Sequence, residues 1–139
     1  MKNLLKMVLL FASCVMCSSV SYADAKQDSI AKGIASIAKQ GLIEEHGKFP
    51  IQLDDISYLM NITSEKQYVV YDYKITMASK GFSEALLAEA LKISLEDEIC
   101  YQPDFLAMFR KNDLLLMYRY KFADKKTIPV VLSVDDICE

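Results

Sequence analysis

Residues Cys100–Cys138 read CYQPDFLAMFRKNDLLLMYRYKFADKKTIPVVLSVDDIC. Pro103 ends one helix and is suited to the first turn of the next, with Phe105, Leu106 and Phe109 as its inward side. Asn112-Asp113 is a turn signal. From Leu114 to Phe122 the chain alternates, with Leu114, Leu116, Tyr118, Tyr120 and Phe122 on one face and Leu115, Met117, Arg119 and Lys121 on the other. Ala123-Asp124-Lys125-Lys126 supplies a turn, and Thr127–Val134 alternates again through Ile128, Val130, Leu132 and Val134. Pro129 directs this last strand toward a sheet edge or a strand start, because proline has no N–H to give a ladder. The stretch is therefore helix end, short helix and hairpin, with a cysteine at each end.

Why those two cysteines pair follows from the other end of the chain. Met1–Ala23 has the three parts of an export signal: Lys2 and Lys6, an apolar run from Met7 to Met16, and the small-residue ending Ser21-Tyr22-Ala23. The run is too short for a membrane span, which needs roughly 20 residues. Cleavage after Ala23 leaves one domain over residues 24–139 and removes Cys14 and Cys17, so that only Cys100 and Cys138 of the four cysteines remain. In an oxidising compartment an isolated pair is most simply a disulfide. Closing a loop of this length restrains the unfolded chain by about 3–4 kcal/mol. The alternative processing is lipidation at Cys14, because Phe11-Ala12-Ser13-Cys14 loosely resembles a lipobox. In that case the protein is lipid-anchored instead of free in the periplasm or secreted.

Loss of Lys2 and Lys6 with the signal takes the formal charge from −3 to −5. So acidic a domain is a poor candidate for nucleic acid or an anionic membrane surface. The scarcity of glycine and proline beside a high apolar content argues against disorder.

Upstream of Cys100, the spacing of Ile30, Ile34, Ile37 and Ala38 predicts an amphipathic helix from Ala25 to about Glu45, ended by Gly47 and Pro50. Phe49–Asp55 reads as an extended or turn-rich lead-in. A strand follows over Ile56–Ile62, with Ile56, Tyr58, Met60 and Ile62 on its buried face. Thr63-Ser64-Glu65-Lys66 makes the connection to a second strand over Gln67–Met77, whose Val69, Tyr71, Tyr73, Ile75 and Met77 share a face. Ser83 is the N-cap of a helix running to about Cys100 on an apolar face of Leu86, Leu87, Ala90, Leu91, Leu95 and Ile99. The order α-ββ-αα-ββ predicts an α+β fold: an antiparallel sheet of about four strands, made of two hairpins, with helices on one face and one disulfide.

Tyr71-Asp72-Tyr73-Lys74 echoes Tyr118-Arg119-Tyr120-Lys121. One copy lies in the second strand of its hairpin and the other in the first strand of its own. The echo is therefore read as shared strand chemistry and not as duplication.

No constellation for catalysis stands out. His46 is the lone histidine, at a helix end where its charge suits the dipole, and a general base needs an oriented partner. Asp54-Asp55 and Asp135-Asp136 lack the spacing of a calcium loop and read as turn residues. No metal-ligand spacing, Gly-rich phosphate loop or cofactor motif is present. The candidate partner-binding features are the acids Glu96, Asp97 and Glu98 at a helix end, which oppose the helix dipole, and Tyr68, Leu115 and Met117, which form an apolar patch if one sheet face is uncovered.

The residues Cys100-Tyr101-Gln102-Pro103, Phe109, Asn112-Asp113, Tyr118-Arg119-Tyr120 and Cys138 resemble a tail found in small exported proteins of Gram-negative bacteria, the family of quorum-sensing-regulated virulence factors and its uncharacterised relatives. This chain departs from them in having Asp124-Lys125-Lys126 where they carry a glycine. The resemblance implies location and fold more than activity. The expected function is a non-enzymatic, cofactor-free periplasmic module that binds another protein, as an accessory of an envelope, secretion or pilus assembly. The alternative is an immunity or inhibitor protein that neutralises a toxin or hydrolase. The proline-bearing edge strand also leaves room for a homodimer.

Overall fold

A computed structural model describes residues 25–138. The expected export signal, its expected cleavage site and Cys14 lie outside the described residues. Helix α1 occupies residues 25–46. Strands β1 (Ile51–Gln52), β2 (Ser57–Glu65) and β3 (Tyr68–Ile75) follow, then helices α2 (Glu84–Ile99) and α3 (Pro103–Lys111). Strands β4 (Leu115–Lys121) and β5 (Thr127–Leu132) and the one-turn helix α4 (Val134–Ile137) complete the chain.

The fold is α+β as the residue pattern predicts, with two differences in the sheet. It has five strands in the order β1-β2-β3-β4-β5, because Ile51–Gln52 of the lead-in pairs with Leu59 and Tyr58. The two hairpins meet in a parallel pair, β3 against β4, while every other pairing is antiparallel. The cause lies in the connection: α2 and α3 carry the chain back along the sheet, and a helical crossover of this kind joins parallel strands. The echoed segments consequently lie side by side. Tyr71 pairs with Tyr118, Asp72 with Arg119, Tyr73 with Tyr120 and Lys74 with Lys121.

Strand β2 runs on through Thr63 and Ser64 to a tight turn at Lys66-Gln67, where Lys66 takes a positive φ of 52°. A bulge between Leu59 and Asn61 leaves Met60 unpaired. The extra residue shifts the alternation, so Leu59 and Ile62 are buried whereas Met60, expected inside, is 38% exposed. At the other end β5 stops at Leu132. Ser133 and Asp136 form a reciprocal capping box, which turns Val134 into a helix instead of a strand residue.

Among the described residues all four helices pack on one sheet face, around Val69, Leu116, Tyr118, Val130 and Leu132. Ala31 and Ala35, one turn apart, bring α1 close to the sheet, and Ile34 and Ala38 fill in beside them. Ile37, expected on that face, is 75% exposed. Gly47 ends α1 at φ 87°, a conformation glycine adopts without strain, its N–H donating to Ile43 at 2.8 Å. Ser83 caps α2, its Oγ accepting from Leu86 N–H at 3.1 Å. Leu91 and Ile99 of α2 reach the core, while Leu86 is exposed.

Cys100, the residue after α2, is bonded to Cys138, the residue after α4, with Cα atoms 5.5 Å apart. The bond pins α4, and with it the buried Val134 and Ile137, to the helix pair. Replacing both cysteines by serine lowers the unfolding free energy by about 3 kcal/mol on the loop-closure account. Urea unfolding of the variant against the oxidised protein measures it; equal midpoints would mean that packing alone holds α4.

Candidate functional site

Between α1 and α2 the helical layer leaves a groove of about 690 Å³. Ile37, Ala38, Gly41 and Leu42 of α1 form one wall, and Leu91, Leu95 and Glu98 of α2 form the other. The floor is the sheet itself, at Leu59, Tyr71, Tyr73 and Tyr118. Its size falls in the range of about 300–1,000 Å³ typical of ligand pockets. The charged side chains lining it are Glu45 and Glu98, and no lysine or arginine is among them.

The parallel register builds this floor. Cross-strand partners in a sheet sit about 4.8 Å apart, so aromatic side chains at matched positions meet face to face. Tyr71 stacks on Tyr118 with ring centroids 4.9 Å apart and planes 12° from parallel. Tyr73 stacks on Tyr118 at 5.9 Å and on Tyr120 at 5.1 Å. Such pairs add about 0.5–1.5 kcal/mol each beyond the area they bury.

Burial pushes all four phenols above their ordinary range, and the nearby Glu98 carboxylate adds to the shift at Tyr71, Tyr73 and Tyr118. Tyr120, with burial as the sole cause, rises to about 12. A buried phenol that resists ionisation binds more protons than its unfolded counterpart at alkaline pH. Its contribution to stability is therefore complete below about pH 10, the unfolded value, and is lost as pH climbs toward 12 and beyond.

The six residues expected to bind a partner fall on opposite sides of the molecule. Tyr68, Leu115 and Met117 are half-buried on the sheet face away from the helices, with Tyr68 directly beside Leu115. Glu96, Asp97 and Glu98 are exposed in the last turn of α2. Of these acids Glu98 lines the groove, Glu96 lies in a shallow depression with Lys92 and Asp136, and nothing in the structure explains Asp97. Tyr71, Tyr73 and Tyr118, placed on strand faces by periodicity, line the groove without having been among the expected partner-binding residues. The echo between the two Tyr-x-Tyr segments is the signal that points to them, once the segments are placed on neighbouring parallel strands.

His46 stands exposed at the end of α1, 3.7 Å from Glu45. Asp54 closes a turn by accepting from the N–H groups of Ile56 and Ser57 at 2.9 and 2.8 Å, and the Ile56 bond is foremost in holding its carboxyl below the usual range. Asp136 is the capping-box acid, accepting from Ser133 N–H at 2.8 Å, and Asp135 pairs with Arg110 at 2.8 Å. Both acid pairs are thus turn and cap residues. Among the described residues no group of three histidine, cysteine or acidic side chains is placed to hold a metal ion. No described helix is long and apolar enough to cross a membrane.

No family model and no curated protein matches the chain. Solved structures do. A protein of Pseudomonas aeruginosa described as secreted superposes with a TM-score of 0.59 at 11% identity, over 83% of this chain and 96% of that one. EpsS, the pilotin of the Vibrio vulnificus type 2 secretion system, gives 0.57 at 14% identity over 86% and 98%. AspS, a type II secretion system pilotin of Vibrio cholerae, gives 0.51 at 10% over 85% and 98%. At such identities the likeness is one of fold, and it spans nearly the whole of each neighbour.

The stacked phenols lead to a measurable expectation. In an alkaline titration followed by phenolate absorbance, a group of tyrosines ionises only with unfolding, and the urea midpoint falls steadily above about pH 10. Titration of every tyrosine near pH 10 in the folded protein would contradict the buried stack.

Proposed function

We propose that this chain is a non-enzymatic, exported accessory of an envelope secretion assembly, and that it holds a segment of another protein in the groove between α1 and α2. The observation that carries the reading is the groove itself: an open, apolar channel with an aromatic floor and two helical walls, on a fold shared with two secretion pilotins. Its walls are helices and its floor is the face of a sheet, so no free strand edge is offered to an extended peptide. An amphipathic helix laid into the groove is the recognition mode that fits. Glu45 and Glu98 at the rim favour basic residues flanking the apolar stripe of that helix.

Ile37 and Leu53 line the groove while being 75% and 53% exposed. They are therefore the positions at which binding is separable from folding. Ile37→Asp and Leu53→Asp each reduce recovery of a stoichiometric partner, in native purification from the periplasm, by about tenfold or more, and leave the unfolding midpoint unchanged. Full recovery with both variants would remove the groove as the binding site. The partner's identity decides between roles: a component of a secretion assembly supports the accessory reading, whereas a toxin or hydrolase establishes the immunity alternative.

A further inference from the structure

The sheet face turned away from the helices carries a second feature, independent of the groove. Lys74 and Lys121 are direct cross-strand partners on this face. Like charges placed opposite one another destabilise a sheet unless something neutralises them. Among the described residues neither lysine, nor Lys125 in the neighbouring turn, has a carboxylate within ion-pair distance. The nearby acids are already engaged. Asp72 accepts from Arg119 through both oxygens, at 2.7 and 3.0 Å, and Glu65 accepts from the same guanidinium at 2.9 Å. Asp124 accepts from Ser79, from its N–H at 3.2 Å and its hydroxyl at 2.6 Å.

The three lysines surround an open groove of about 730 Å³ that is also lined by Met60 and Phe122. Met60 is held outward by the β2 bulge, and Val131, farther along the same face, is 42% exposed. Lysines beside exposed aliphatic side chains match an anionic headgroup above acyl chains. The face offers a polypeptide much less, because its backbone groups are spent within the sheet and an extended peptide draws its affinity from main-chain hydrogen bonds at an edge.

We propose that this face docks on an anionic phospholipid surface, with Lys74, Lys121 and Lys125 on the phosphates and Met60 and Val131 at the headgroup boundary. The formal charge of −3, or −5 without the expected export signal, argues against any such contact for the molecule as a whole. The fold overcomes this by gathering unpaired cations on one face, and the acidic remainder orients that face toward the bilayer.

Co-sedimentation of the purified protein with vesicles tests the assignment. Vesicles of phosphatidylcholine with a third phosphatidylglycerol bind it, and vesicles of phosphatidylcholine alone do not. Each lysine near a surface is worth about fivefold, so the Lys74→Ala/Lys121→Ala variant binds about 25-fold more weakly. Lys26→Ala/Lys32→Ala, on the exposed side of α1, serves as a charge-matched control and binds within about twofold of the parent. Equal binding to both vesicle types, or an equal loss in the control, would overturn the proposal. So would displacement from the vesicles by poly-glutamate at carboxylate concentrations equal to the lipid phosphate, since the face then selects acidic polypeptide. The lysines are exposed, so both variants fold, and relief of the Lys74–Lys121 repulsion leaves the unfolding midpoint equal or higher.

Discussion

The parallel pairing of β3 with β4 is the constraint on which the rest of the molecule depends. It sets Tyr71 and Tyr73 against Tyr118 and Tyr120 on one face, and Asp72 and Lys74 against Arg119 and Lys121 on the other. Because side chains alternate along a strand, two similar tetrapeptides placed in register generate two ladders at once. The inner ladder is aromatic and half-covered by helices. The outer one is ionic, neutral at Asp72–Arg119 and unbalanced one row further on.

The helical layer follows from this pairing. A parallel connection obliges the chain to cross back over the sheet, and α2 with α3 is that crossover. The joint between these two helices, at Cys100, is tied to Cys138, so the same layer is closed by a covalent bond to the end of α4. α1 packs on the sheet through the small side chains of Ala31 and Ala35, and its Ile37 and Gly41 line the groove. The groove exists because the two helices cover the tyrosine ladder incompletely. Glu98, unfavourable at a helix C-terminus, stands at the uncovered edge of that ladder and adds negative charge to the groove's rim.

Much of the architecture is legible in the residues. Alternation identifies the inward face of β4 residue by residue, Ser83 and Pro103 mark helix starts, Pro129 lies on the edge strand, and the two cysteines pair. What periodicity leaves open is which strand lies next to which. Local pattern reports the direction of each side chain and is silent about its neighbour across the ladder, so the parallel join and the meaning of the echoed Tyr-x-Tyr segments stay hidden. A single inserted residue defeats it as well: the bulge at Met60 reverses the inside and outside of half of β2. The candidate site suffers for the same reason. Tyr68, Leu115 and Met117 share the face turned away from the helices, where they are half-buried beside the fully buried Val70, whereas the groove is assembled from α1, α2 and the tyrosine floor, elements far apart in the chain whose apposition no local pattern encodes.

Net charge is the coarsest of these averages, and the one the fold redistributes most. Of the acids near the open face, Asp72 and Glu65 are spent on Arg119, and Asp124 on the backbone and hydroxyl of Ser79. Arg119 offsets one of the two negative charges it binds, and Asp124, held by neutral donors, is fixed in place with its charge intact. On the helical side the balance runs the other way, with Glu45 and Glu98 lining the groove and no lysine or arginine to answer them. One sheet thus separates an acidic, aromatic-floored channel from a basic, methionine-bordered surface, and its two faces suit chemically opposite neighbours. The acidic total describes the channel and misdescribes the open face of the same sheet.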